Sequence, residues 1–143
     1  MTQIDFYALK PGSRSNQLHL TCRLVARIYR ESLRVLIHCP DRARAQALDE
    51  LLWRFREDSF IPHGLYDAVD PELTPILISS DGQSHNESKV LINLDTAVPE
   101  FFNHFERLCE PVDQDPAILA AARQRWQHYR AAGYSPNHHP LDG

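Results

Sequence analysis

One hydrophobic core is what 143 residues can build, and a second domain is not expected. With 43% hydrophobic and 24% charged residues and no apolar run near the roughly 18 residues that a membrane span needs, the composition fits a soluble globular protein. The net charge of −4 splits unevenly, ten Lys/Arg against five Asp/Glu in residues 1–56 and five against fourteen in 57–143, and the total gives no footprint for direct nucleic-acid binding.

Taken in order, Gln3 to Leu9 places Ile4, Phe6 and Ala8 on one face and Tyr7 and Leu9 on the other, a first strand covered on both sides. Lys10-Pro11-Gly12-Ser13 breaks it. From Ser15 to about Leu33 the residues Leu18, Cys22, Val25 and Tyr29, with Leu24 and Ile28 beside them, form an apolar stripe backed by Arg23, Arg27 and Arg30. Arg34-Val35-Leu36-Ile37-His38-Cys39, closed by Pro40, reads as a central strand of a parallel sheet. Asp41 can cap the helix that follows to about residue 54, with Ala43, Ala47, Leu48, Leu51 and Leu52 as its apolar positions. Strand then helix is the repeating unit of an α/β sandwich.

Residues 57–66 read as a loop dense in large apolar groups, Phe60, Ile61, Pro62 and Leu65, which must pack inward or meet a partner. Ile76–Ile78 and Val90–Leu94 are two further strands, and the polar segment 79–89 between them allows a hairpin or an irregular crossover. Pro99, Phe101, Phe102, Phe105 and Leu108 have the spacing of an amphipathic helix, and Leu108–Val112 that of a brief edge strand, because Pro111 is excluded from a central one. Asp115-Pro116 opens the last helix, whose apolar positions Ile118, Leu119, Ala122, Trp126 and Tyr129 run to a stop at Gly133. The layout expected is one α/β domain over 1–133 and a loose tail over 134–143.

Motifs for catalysis are scarce. Five glycines supply no G-x-G-x-x-G, no phosphate-binding loop and no G-x-S-x-G. Cys22, Cys39 and Cys109 are odd in number and widely spaced, so buried free thiols are expected rather than disulfides or a zinc knuckle. Met1-Thr2-Gln3-Ile4-Asp5 has neither a basic nor a long apolar leader segment, which makes the cytoplasm the expected compartment. His38 beside Cys39 stands where an α/β sheet places ligand-binding residues, and His63 with Asp67 or Asp95 with His104 can be drawn as acid/base pairs. On the last helix Arg123 and Arg130 are two turns apart with Gln127 between them and Trp126 one turn from both. Two guanidinium groups bordering an indole can hold a carboxylate together with an apolar side chain; the alternative is a Trp in the core with arginines in water.

Several segments together resemble the chi subunit of bacterial DNA polymerase III almost end to end. They are Arg34–Ile37, Ala47–Asp49 with Leu52-Trp53, Ser59–His63, Val90–Leu94, Ala122–Trp126 and Tyr129–Tyr134, the S-F-x-P-H loop and the Y-R-x-A-G helix end being the most specific. The resemblance implies a Rossmann-like three-layer fold, with helices on both faces of a mostly parallel sheet, and a non-catalytic adaptor without metal or cofactor. It implies that the chain meets DNA only indirectly, as a monomer or a heterodimer with psi. The adaptor would join the clamp loader through the psi subunit and bind the C-terminal tail of single-stranded DNA-binding protein. Arg123 matches the family's key arginine for that tail, Trp126 stands where relatives have another aromatic, and Val112 matches an apolar pocket residue; Gln127 and Arg130 complete the expected site. Leu119 and Gln127 depart from the family, since relatives carry basic residues there. Phe60, Ile61, Pro62 and Leu65 fall in the psi-contacting loop. The competing reading is a small α/β nucleotide-binding or hydrolytic enzyme built around His38, Asp41 and Asp95.

Overall fold

The computed structural model describes residues 1–55 and 60–142. Seven strands form one sheet: β1 (Gln3–Leu9), β2 (Val35–His38), β3 (His63–Leu65), β4 (Ile76–Ser79), β5 (Val90–Asn93), β6 (Arg107–Val112) and β7 (Asn137–Leu141). Their order is β3-β4-β2-β5-β6-β1-β7 and every pairing is parallel. Helices α1 (Gln17–Arg30) and α2 (Arg42–Arg54) cover one face and α3 (Pro116–Ala131) the other. This is the Rossmann-like α/β arrangement that the resemblance implies.

Parallel strands are covered on both faces, so they are apolar at consecutive positions. In β2, Val35, Leu36 and Ile37 are all fully buried; Val35 and Ile37 meet α1 and α2 while Leu36 meets the opposite layer. The caps are those expected from the sequence. Asp41 Oδ1 accepts the amides of Ala43 and Arg44 at 3.0 and 3.3 Å, and Asp115 Oδ1 those of Ala117 and Ile118 at 2.9 and 3.3 Å. Gly133, at φ +94°, takes the left-handed conformation that ends α3. On α2 the buried stripe is Ala45, Leu48 and Leu52, whereas Ala43 and Ala47 are exposed.

Four sequence expectations are corrected and one open alternative is decided. Segment 80–89 is an irregular crossover, because β4 and β5 flank β2 in the same direction. No regular helix forms over 99–108: only a 3₁₀ turn, Phe102–His104, is present, and Phe101, Phe102 and Phe105 pack under α3 from that turn. Strand β6 is not an edge strand but lies between β5 and β1. Pro111 is tolerated there because the pairing with β5 ends at Cys109, so no strand on that side asks for the N–H that proline lacks, and the Pro111 carbonyl accepts Gln17 Nε2 at 3.0 Å. His63–Leu65, within the segment read as a loop, is the edge strand β3. Residues 137–141, expected to be a loose tail, form β7 on the outer side of β1.

Strand β7 is pinned by side chains. His139 Nε2 and Asn137 Nδ2 lie 2.9 and 3.2 Å from Asp5 Oδ1, Gln3 Nε2 donates to Oδ2 at 2.9 Å, and the His139 ring stacks on Tyr7 at 4.8 Å. Burial pushes the Asp5 carboxyl up, but His139, Gln3, Asn137 and the Arg107 charge outweigh it and hold Asp5 below its ordinary 3.8.

Helix α3 is pinned from below by a buried carboxylate. Glu110 of β6 is fully buried and its Oε2 accepts Arg125 Nε at 3.1 Å and the Tyr129 hydroxyl at 2.6 Å, while Asn93 Nδ2 of β5 donates to both carboxylate oxygens at 3.2 Å. Burial raises the Glu110 carboxyl against the pull of Arg125, Tyr129 and Asn93. Burial and the neighbouring carboxylate together raise the Tyr129 hydroxyl, which stays a donor.

Two outcomes follow from these anchors. Glu110→Ala strands Arg125, which is only 4% exposed, and is expected to cost roughly 3–5 kcal/mol in a urea melt, with Glu110→Gln intermediate. Because the folded Asp5 carboxyl is depressed, its stabilising contribution is complete above about pH 4 and is lost as pH falls through the folded value. The protection of the amides of residues 138, 139 and 141 against exchange should therefore fall on acidification before that of β2, and Asp5→Asn should remove the difference.

Candidate functional site

Helix α3 lies over β6, and a groove of about 620 Å³ opens between its flank and the strands β1 and β7. Its walls are apolar: Phe6 and Ala8 alternate outward from β1 on this face, Val112 closes the end of β6, and Leu119, Ala122 and Trp126 come from α3. Trp126 is half-buried, set edge-on against Phe6 at 5.1 Å, so one part of the indole is core and another lines the groove. Arg123 and Gln127 stand exposed on the rim, and no hydrogen bond or ion pair joins Arg123 to another side chain among the described residues. A guanidinium free of internal partners beside an indole wall can take a carboxylate in the planar, two-point manner that an ammonium cannot.

Four of the five residues expected to form one site thus come together: Val112 of β6 and Arg123, Trp126 and Gln127 of α3 share the groove. Arg130, one turn further along, is exposed and does not line it. Arg125 faces the other way, into Glu110 and the Thr96 carbonyl, which its Nη1 reaches at 2.9 Å. Sequence reasoning missed the strand side of the groove. Lys10, in the segment that breaks β1, reaches the groove, and so do His138 and Pro140 of β7.

The second apolar surface is at the opposite edge of the sheet. Phe60 is 65% exposed and packs against Trp53 of α2, itself 54% exposed, at 5.4 Å; Trp53 also lies on His63 at 4.6 Å. Ser59 lies outside the described residues. Ile61 is 5% exposed and belongs to the core, while Pro62 and Leu65 are half-buried, so the surface is Phe60 with Trp53, flanked by Pro62, rather than the whole loop. In the sequence Trp53 carries resemblance but no sign of a contact; its exposure is a signal that only three dimensions supply.

The strand ends that a nucleotide-binding α/β domain uses are filled by the chain's own groups. A crevice of about 340 Å³ lies beyond β2 and β5, bordered by Asp41, Asp95, Arg44 and Arg125. Arg44 Nη2 donates to Gln17 Oε1 at 2.6 Å, Arg125 is taken by Glu110, and the Asp41 carboxylate caps α2. His38 Nε2 meets Asp95 Oδ2 at 3.1 Å, so Asp95 pairs with His38 and not with His104. The His63 ring nitrogens lie 2.7 Å from the Ile61 carbonyl and 3.0 Å from that of Asp49, while Asp67 pairs with Arg42. The three cysteines are free and buried, and burial lifts Cys39 to about 11 and Cys22 and Cys109 to about 12, which keeps them as inert thiols. No described helix is long and apolar enough to cross a membrane.

Two solved structures share this fold. The second domain of the DEAD-box protein Mss116p, solved bound to an RNA duplex, superimposes with a TM-score of 0.62, covering 98% of this chain and 65% of that one at 10% identity. The C-terminal domain of S. cerevisiae Dbp5 L327V, solved bound to Gle1 H337R and IP6, gives 0.57 over 100% and 92% at 12%. At such identities the likeness is one of fold alone, and the class defined here is a Rossmann-like α/β domain bearing an arginine-rimmed apolar groove.

Residues 1–137 match the family model described as DNA polymerase III chi subunit, HolC. DNA polymerase III subunit chi of Pseudomonas aeruginosa is 37% identical, covering 99% of this chain and 98% of its own length. Those of Haemophilus influenzae and Escherichia coli are each 33% identical, over 92% and 96% of this chain and 92% and 97% of theirs. The chain belongs to the DNA polymerase III chi subunit family, and its role is that of an accessory subunit in DNA replication.

Proposed function

We propose that the chain is a non-catalytic adaptor with two docking surfaces, one for the psi subunit of the clamp loader and one for the C-terminal tail of single-stranded DNA-binding protein. The observation that carries this reading is the apolar groove beside Arg123, which no other side chain engages among the described residues. An acidic peptide ending in a carboxylate next to an aromatic ring needs a guanidinium for the carboxylate and an apolar wall for the ring. Arg123 supplies the first, and Trp126 with Val112 the second.

The exposed Phe60–Trp53 pair is the anchor assigned to psi. Aromatic side chains are enriched at the energetic centres of interfaces, and an exposed pair whose rings pack against each other presents its area with little rotamer freedom left to lose. Phe60 precedes β3 and the groove borders β7, at the two ends of a seven-stranded sheet. Six inter-strand spacings of about 4.8 Å put the two surfaces on the order of 30 Å apart, far enough to be engaged together and without energetic coupling. DNA is reached only through these partners, as the acidic net charge suits.

In fluorescence anisotropy with a labelled acidic, Phe-ended peptide, Arg123→Ala is expected to lower affinity on the order of ten- to a hundredfold, the loss of a charge-assisted contact worth roughly 1.5–3 kcal/mol. Arg130→Ala should change it little, since Arg130 is outside the groove; equal binding by wild type and Arg123→Ala would remove this helix from the reading. Phe60→Ala should weaken psi capture by about 2 kcal/mol or more while leaving peptide affinity unchanged. Loss of both activities in a protein with wild-type circular dichroism would mean one site rather than two.

A further inference from the structure

We propose that Lys10 is the second cation of the groove, held in reserve by Asp142 and released to an acidic side chain of the bound peptide. The inference rests on the groove being the peptide site.

The charge on the groove is one-sided. In a chain with more Asp and Glu than Lys and Arg, the groove lining contains no carboxylate, and its ionisable members are Lys10, Arg123 and His138. On α3 the turns before and after Arg123 carry Leu119 and Gln127, so the helix offers one cation to this groove. Lys10 enters from a different element, the segment leaving β1. A ligand lying along the groove therefore has positive charge available from the helix and from the strand side.

Lys10 is placed by its backbone, whose amide donates to the Leu141 carbonyl at 2.9 Å and so ties it to the end of β7. Its ammonium lies 3.4 Å from Asp142 Oδ1. The two side chains are 53% and 90% exposed, so this is a water-screened contact that a better-placed anion can displace. Arg23 Nη1 donates to the Asp142 main-chain oxygen at 2.9 Å and keeps the carboxylate within reach of Lys10. Asp142 thereby occupies Lys10 as a peptide carboxylate would, and binding is an exchange of one carboxylate for another.

The test is anisotropy at low salt with two labelled probes, an acidic Phe-ended peptide and the same peptide with its acidic side chains replaced by amides and its terminal carboxylate kept. Lys10→Ala is expected to weaken the acidic probe about three- to fivefold, the range for an exposed charge contact, and to leave the amide probe unchanged. Lys10→Arg should retain wild-type affinity. Asp142→Asn should tighten the acidic probe about twofold, because Lys10 no longer has to be released. Equal binding of the acidic probe by wild type and Lys10→Ala, while Arg123→Ala still weakens it, overturns the role of Lys10 and leaves the groove reading standing. Failure of wild type to bind either probe overturns the groove reading and this inference with it. An Asp142→Asn protein that binds as wild type does overturns the reserve held by Asp142.

Discussion

The buried Glu110 carboxylate is the constraint on which the working surface depends. It sits inside the layer between β6 and α3, and its partners come from β5 and from two successive turns of the helix. Compared with apolar packing, such a buried group is a weak source of stability, but it allows few alternatives: sliding α3 by one turn would leave a guanidinium and a carboxylate dry and unpaired. Arg125 and Tyr129 therefore set the rotation of the helix. With those two facing the sheet, Trp126 falls at the edge of the core and Arg123 and Gln127 at the rim of the groove.

The remaining wall comes from β7, whose residues bury little of their own. Only His139 and Leu141 among them are even half-buried, and the strand is held by main-chain pairing to β1 and by the Asp5 cluster. Without β7 the groove would be an open shelf on β1. Its seating also brings Asp142 to Lys10, so the same short strand shapes the groove and sets the charge at its mouth.

What was legible in the sequence is what local physics decides. A four-residue apolar run closed by proline marked β2, aspartates at two helix starts marked the caps, and Gly133 marked the end of α3. The failures share a cause. Phe101, Phe102, Phe105 and Leu108 imitate helical spacing, yet Leu108 is a strand residue and the phenylalanines reach the core from a 3₁₀ turn, because tertiary burial rather than periodicity selects them. Asn137-His138-His139-Pro140-Leu141 has no β-branched residue and carries a proline, so nothing local predicts a strand; pairing to β1 and the Asp5 contacts supply what propensity lacks. On the helix the pattern identified Arg123 and Trp126, but the groove takes five of its fourteen lining residues from more than a hundred positions earlier, and no spacing rule connects Lys10 to Arg123.

The strand order also dictates when this chain can acquire its shape during synthesis. Strand β1 leaves the ribosome first, yet both of its neighbours, β6 and β7, are made last, from residues 107–112 and 137–141. The β4-β2-β5 ribbon has all its partners by residue 93 and can zip while translation continues. Until β6 is complete at residue 112, 19 residues after β5 ends at residue 93, the apolar β1 has no sheet to join. Strand β1 is thus a waiting hydrophobic segment until β6 and β7 are made, and sealing the sheet is an event of high contact order.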